Sequence, residues 1–435
     1  MDPSFLIESI IGFSYICHHN NYTIEKQAII ALSDALYKAS KSVRILRSVN
    51  WSQKTKADFF GQSAQVLPEV SYPDYDPSET LHLIDKARAL ILLNSPFENW
   101  GNRIADKLEN GARLLSSMGT NDFYKYSAKL YGTPKDILPD GETNSLDLAL
   151  FFEEMYKNIE ALNIEAQYPE SYDAKDISDR MRVEVNTMFG EDAPEIIIDD
   201  EVSSKVIAGR RRIRVRSTAM FDDNDMDQLI HHEAFVHVAT SINGYQQKSI
   251  KILRASHPGT TKTQEGLAVF AEFITGHIDL ERIRRLSDRV LAIQMAVDGA
   301  DFIEVYRYYL DKIGHQENAY ESARRVFRGG VITGGAPFTK DIVYLDGLLR
   351  VHNFLRVVVS SGKADLLPLL FAGKMDLEDI DVVIRLRDMG LIESPKYLPP
   401  WMKDIRFLLT YLAYSSFLNS VKLTKLKDYY SNLIC

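Results

Sequence analysis

Cysteine is nearly absent from this chain. Cys17 and Cys435 are the only two in 435 residues, so a disulfide framework and a thiolate-built zinc site are both excluded. The first residues, MDPSFLIESIIGF, carry acidic side chains and no basic n-region, which does not suit a secretory signal. No apolar run reaches membrane length. The longest, Ile405 to Leu418, is interrupted by Arg406, Tyr411 and two serines, and it reads as a buried helix. Positive charge is in deficit: the formal net charge is −9, which argues against a nucleic-acid binder held by phosphate contacts. These absences lead us to expect a cytoplasmic protein with neither a membrane nor a nucleic acid as partner.

Apolar residues make up 45% and charged residues 26%, an ordinary globular balance. The length exceeds one compact core. We expect an N-terminal helical region over 1–160, a central core over 161–345 and a C-terminal helical region over 346–435. Helical spacing of apolar residues recurs through the first region, as in Ala28, Ile29, Leu32 and Leu36. Strand signals are confined to Glu195–Asp199, Lys205–Ala208 and Arg211–Ser217, the last two resembling a hairpin about Gly209-Arg210. Arg210, Arg211, Arg212, Arg214 and Arg216 alternate with Ile213 and Val215, which reads as the wet face of a strand before a binding patch. The expected class is α+β: mostly helical, with a small antiparallel sheet just before the helix that carries the chemistry.

That helix contains His231-His232-Glu233-Ala234-Phe235-Val236-His237, after a capping stretch Phe221 to Asn224. Zinc peptidases often place two histidines four apart on one helical face. Here the spacing is five, which on a regular helix leaves the rings about 140° apart, too far for one ion. An inserted π-turn would bring them back together. The alternative is a helix with two unrelated histidines. His231 points about 100° away from His232, which suits a supporting or surface role better than metal ligation.

A catalytic zinc keeps three protein ligands and one open position. Thr263-Gln264-Glu265-Gly266-Leu267-Ala268 opens a later, largely apolar helix, and a carboxylate at its head needs a partner. The partner is either a metal or the helix N-terminus, which stabilises a carboxylate by about 0.3–1 kcal/mol. Small Gly266 and Ala268 would let this helix approach the histidine helix closely. Glu272 offers a carboxylate for a histidine N–H. Glu233 would then take a proton from the attacking water and pass it to the leaving nitrogen, as in a gluzincin-like core.

His232-Glu233-Ala234-Phe235-Val236-His237 and Gln264-Glu265-Gly266-Leu267-Ala268 together resemble the bacterial family named for its QEGLA motif, described as flavohemoglobin expression-modulating proteins. They also resemble the eukaryotic tubulin tyrosine carboxypeptidases that share the domain. Arg325 to Gly330 and Phe338 to Leu345 support the likeness. The resemblance implies Zn2+ held by His232, His237 and Glu265, with Glu233 as base, in a carboxypeptidase-like zinc metallopeptidase acting on a peptide or protein C-terminus. A non-catalytic regulatory protein retaining a structural zinc is the alternative. A terminal carboxylate needs a cation, and Arg216, Arg328 and Lys340 are candidates. Arg216 is favoured if substrate lies along an edge strand. Tyr344 either donates to an oxyanion or only packs its ring. Gly329, Gly330, Gly334 and Gly335 bracket a loop that could close over the site. Neither substrate identity nor oligomeric state is readable.

Overall fold

The computed structural model describes residues 23–160, 171–200, 202, 204–419, 421–422 and 426. Both cysteines and the N-terminal stretch lie outside these residues. Helix α1 spans 23–40 and buries Ile29, Leu32 and Leu36, the positions whose spacing marked it as helical. It packs with α2 (Glu98–Ser116), α3 (Asp122–Tyr131) and parts of the chain beyond residue 250 in one core. Helix α4 (Ser145–Glu160) follows. Helix α5 (Ala174–Phe189) has its N-terminus specified locally. The Asp173 carboxylate accepts from the Lys175 and Asp176 amides, and Asp176 answers by accepting from the Asp173 amide. Ile177, Met181, Val185 and Phe189, each four residues on from the last, are then buried against the sheet.

Strands β1 (Glu195–Asp199), β2 (Val206–Ala208) and β3 (Arg212–Arg216) form a sheet ordered β1-β3-β2. The hairpin β2–β3 is antiparallel, but β1 runs parallel to β3, so the sheet is mixed and not antiparallel throughout. Ile213 and Val215 are buried while Arg212 and Arg214 turn toward water, the alternation expected of a half-buried strand.

A continuous helical rod follows in three parts: α6 (Asp223–Leu229), a π-helical segment Ile230–Val238, and α7 (Ala239–Gln246). Asp222 caps α6 in a reciprocal box with Asp225. Next come α8 (Thr261–Ile274), α9 (Leu280–Val297), α10 (Phe302–Ile313), α11 (Gln316–Phe327) and α12 (Val343–Ser360).

Helices α8 and α12 touch backbone to backbone. A Cβ at Gly266 would sit 2.3 Å from the Gly347 carbonyl oxygen, and one at Gly347 would sit 2.3 Å from that of Lys262. Gly266 therefore serves the approach of α12 to α8, not that of the histidine helix. The histidine helix meets α8 at Val236, in a core with Leu267 and Ala268.

Helix α13 (Ile405–Leu418) is not a buried helix. Only Leu408 and Leu412 are buried, and Phe407, Tyr414 and Phe417 are more than half exposed, because α13 lies on the outside of α12. Among the described residues, no helix is long and apolar enough to cross a membrane.

Candidate metal centre

The π-segment supplies the departure from regular geometry that the five-residue spacing demands. It runs over Ile230–Val238, so both histidines lie inside it, and their ring centroids are 4.9 Å apart. Widening the helix displaces carbonyls from the regular ladder, and they need other donors. The His237 carbonyl accepts from Ser241 Oγ at 2.7 Å and from Lys374 Nζ at 3.1 Å.

Glu265 on α8 faces both rings. Its Oε2 lies 3.5 Å from His232 Nε2 and 3.6 Å from His237 Nε2. Those separations are long for hydrogen bonds. They match the edge of a tetrahedron around zinc, about 3.4 Å for bonds of about 2.1 Å. Candidate ligand atoms of His232, His237 and Glu265 all lie within 4.8 Å of one another, and among the described residues no other such group of histidine, cysteine or acidic side chains forms. Two imidazoles and a carboxylate are the donor types zinc favours.

The ring of His232 is fixed from behind. Its Nδ1 lies 2.6 Å from Oε1 of Glu272, which is fully buried, and Arg282 donates to Glu272 through Nε and Nη2 at 2.8 Å each. In the neutral ring, the form a metal ion takes, a proton on Nδ1 held by Glu272 puts the Nε2 lone pair on the side of Glu265. Burial disfavours the charged ring, but Glu265 and Glu272 outweigh it and raise His232 to about 10. Burial likewise opposes ionised Glu265, yet Lys340 and the two histidines hold it well below the usual carboxylate range.

A second buried network ties α8 to the π-segment. Gln264 Oε1 accepts from Lys374 Nζ at 2.7 Å and lies 2.8 Å from Thr240 Oγ1. Burial lowers Lys374 to about 7, against the opposing pull of Glu265 and Glu233. Glu233 is half-buried on the π-segment itself.

A model of the family described as microtubule-associated tyrosine carboxypeptidase matches residues 57–420. The chain belongs to that family. No curated protein is significantly similar to it. Among solved structures, a protein titled as a lipoprotein from Colwellia psychrerythraea aligns at 13% identity and a TM-score of 0.41, over 72% of this chain. The chain spans 66% of that protein, less than two thirds of its length. Trypanosoma cruzi metallocarboxypeptidase 1 aligns at 14% identity and a TM-score of 0.37, over 85% of this chain and 90% of its own.

The other candidates in this family member divide by position. Lys340 reaches Glu265, with Nζ 3.7 Å from Oε1. Tyr344 is half-buried beside it, with Lys340 Nζ at 5.3 Å and the Arg289 guanidinium at 4.6 Å from the ring centre. Arg325 Nη2 stands 3.5 Å from the Tyr344 hydroxyl. Arg328 is buried at the end of α11 over the Phe338 ring. Arg216 loses its rationale, because β3 is the central strand: the Arg216 amide donates to the Lys205 carbonyl, and Asp199 of β1 is its partner on the other side. His231 stacks on His277 at 5.0 Å and is not one of the three grouped donors.

The glycines after Arg328 are fastened. Gly329 N donates to the Tyr72 hydroxyl and its carbonyl accepts from Gly119 N, while Gly335 N donates to the Ala296 carbonyl. They fit close contacts: a Cβ at Gly334 would lie 2.3 Å from the Gly299 carbonyl oxygen. Sequence reasoning missed Arg282, Arg289, Arg325 and Lys374. The QEGLA-type glutamine was a partial signal, since a buried amide oxygen requires donors, but nothing local points to Lys374, 110 residues away.

Proposed function

We propose that this chain is a zinc-dependent carboxypeptidase that hydrolyses the last peptide bond of a peptide or protein. The observation that carries the reading is the π-helical turn that aims His232 Nε2 and His237 Nε2 at one oxygen of Glu265. Three protein donors support a catalytic over a closed structural site, where zinc takes four. Zinc held there polarises a scissile carbonyl and acidifies water toward a pKa of about 7.

The chain's own groups do the rest. Glu233, one residue after His232, takes a proton from the attacking water and delivers it to the departing nitrogen. Glu272 and Arg282 hold the His232 ring in one orientation. Tyr344, beside Lys340, donates toward the carbonyl oxygen as negative charge develops on it. Lys340 and Arg328 supply positive charge for the substrate's terminal carboxylate. The family's description names tyrosine, and a C-terminal tyrosine is one substrate residue to test.

The decisive experiment pairs metal analysis with release of C-terminal residues from a peptide library. Wild type should carry close to one zinc per chain. Glu233→Gln should keep that zinc and lose about 10²- to 10⁴-fold in rate. A variant as fast as wild type, or a purified chain without zinc, overturns the reading.

A further inference from the structure

The π-segment carries His232 and His237, and α8 carries Glu265, so the separation of two elements decides whether three donors converge. Val236 packs against Leu267 and Ala268 between them, but apolar contacts carry no direction. The directional contact is Lys374. Its ammonium donates to the His237 carbonyl at 3.1 Å, to Thr240 Oγ1 at 2.9 Å and to Gln264 Oε1 at 2.7 Å. Three protons meet three acceptors, the whole capacity of an ammonium group. The first acceptor is the backbone of a candidate ligand. The second opens α7, and the third stands on α8, one residue before Glu265.

Lys374 belongs to neither helix. It lies in the stretch 371–377, which is fastened along its length. Asn243 Nδ2 donates to the Phe371 carbonyl at 2.8 Å, and Gln247 Nε2 donates to the Ala372 carbonyl at 3.1 Å. The Lys374 amide donates to the Leu253 carbonyl at 2.8 Å, and the Leu377 amide donates to Thr263 Oγ1 on α8 at 2.9 Å. Gly373 permits the close approach: a Cβ there would sit 2.7 Å from the Leu253 carbonyl oxygen and 3.1 Å from Cα of Gly244. The stretch is thus a strap from α7 to α8, with the Lys374 side chain buried beneath it. Gln264 is oriented by the same contact. Its Nε2 is buried without a hydrogen-bond partner among the described residues, while its oxygen faces Lys374, which can only donate.

We infer that Lys374 is a positioning residue of the proposed metal centre: by tying the His237 carbonyl to Gln264, it sets the separation of the π-segment and α8, and so the convergence of His237 and Glu265 on one ion. The inference rests on the zinc reading. An ammonium has no lone pair to offer a metal, so Lys374 acts through the two ligands and not on the ion. Its charge and its position pull in opposite directions. Lys374 lies in the field of Glu265 and Glu233, and a positive charge there repels a second cation. Removing the charge should by itself favour metal binding. A loss of metal affinity on removing it is therefore the mark of lost geometry.

The test is metal binding to the full chain, read in two ways. Zinc affinity is measured by competition with a chelator, and the visible spectrum of the cobalt-loaded chain reports ligand geometry. Lys374→Met, close to lysine in length, should weaken zinc binding by about 10- to 100-fold and shift the cobalt bands. Thr240→Val removes one of the three acceptors and should weaken zinc binding by a smaller factor, about threefold or more. Unchanged or tighter zinc binding by Lys374→Met, or a wild-type cobalt spectrum, overturns the inference, because Lys374 would then serve only the fold. If Lys374→Met does not fold, Thr240→Val decides, and wild-type affinity or a wild-type spectrum in that variant overturns the inference. A wild-type chain that binds neither ion overturns the zinc reading and takes the inference with it, whereas failure in the variants alone leaves the zinc reading standing.

Discussion

Around His232, each charge has an answer. Nδ1 faces Glu272, Glu272 faces Arg282, and Nε2 shares Glu265 with His237. Just beyond Lys340, around Tyr344, cations outnumber carboxylates among the described residues, and guanidinium nitrogens are buried without a hydrogen-bond partner among them. The two clusters meet at the 3.7 Å contact between Lys340 and Glu265. The first is arranged so that three donors converge without help from a ligand. The second is incomplete by itself. A site built to hold a resident ion stays charge-matched in its supports, whereas a site that binds and releases an anion must keep its compensation outside the chain.

The largest effect should come from the shared residue. Glu265→Gln keeps the shape, removes the charge, and leaves two buried imidazoles with a neutral ligand. Zinc content after dialysis should fall from near one per chain to near zero. Retention of full zinc would mean that the two clusters do not meet at a metal at all. The next largest tests the backing of the donor cluster. Glu272→Gln cannot answer Arg282 and accepts poorly from His232, and it should weaken zinc binding by about 10- to 100-fold, measured by competition with a chromophoric chelator. Arg328→Met, equally buried but in the surplus cluster, should leave zinc affinity unchanged. A similar loss in both variants would erase the distinction drawn between the clusters.

The sequence exposed these two regions unequally. His232, Glu233, His237 and Glu265 lie in short motifs, and the five-residue spacing by itself required the π-segment that spans Ile230–Val238. Strand and helix positions followed from alternation in Arg212–Arg216 and from four-residue spacing in α1. The sheet's mixed pairing was not readable, because β1 is joined to its partner β3 by pairing and not by a hairpin turn. That order also removed the edge on which Arg216 was to act. The surplus cluster was half-visible: Arg328, Lys340 and Tyr344 stood out, but Arg289 lies on α9, where a charged residue looks like any solvated helical position. Its partner is a ring 55 residues away, and only the packing of α9 against α12 makes the contact.

A smaller effect is expected at the contact that fixes the distance between the clusters. Helix α8 carries Glu265 and the first turn of α12 carries Tyr344, and the two cross at Gly266 and Gly347. Gly266→Ala drives a methyl into the Gly347 carbonyl, which forces the helices apart or bends them. It should cost about 1–3 kcal/mol of stability, read from denaturant midpoints. If the clusters cooperate on one substrate, peptide turnover should fall further than zinc affinity does. A stable variant with unchanged turnover would show that their spacing does not matter.

The smallest effect should be on stability in the surplus cluster itself. Removing one member of a matched buried pair strands the other and typically costs about 3–5 kcal/mol. Arg282→Met should behave this way, because Glu272 would keep only His232. Arg289→Met removes a cation whose Nη1 has no partner and which lies close to Arg325, so repulsion and an unfilled donor disappear together. Against this stand the lost cation–π contact with Tyr344, about 0.5–2 kcal/mol, and the lost attraction of Asp341. These contributions oppose and are of similar size, so thermal stability without ligand should move little in either direction. The contrast between Arg282→Met and Arg289→Met, two arginines seven residues apart on one helix, is what the two-cluster description requires. A loss at Arg289 as large as that at Arg282 would mean that Arg289 has a structural partner and that the cation surplus around Tyr344 is smaller than its geometry suggests.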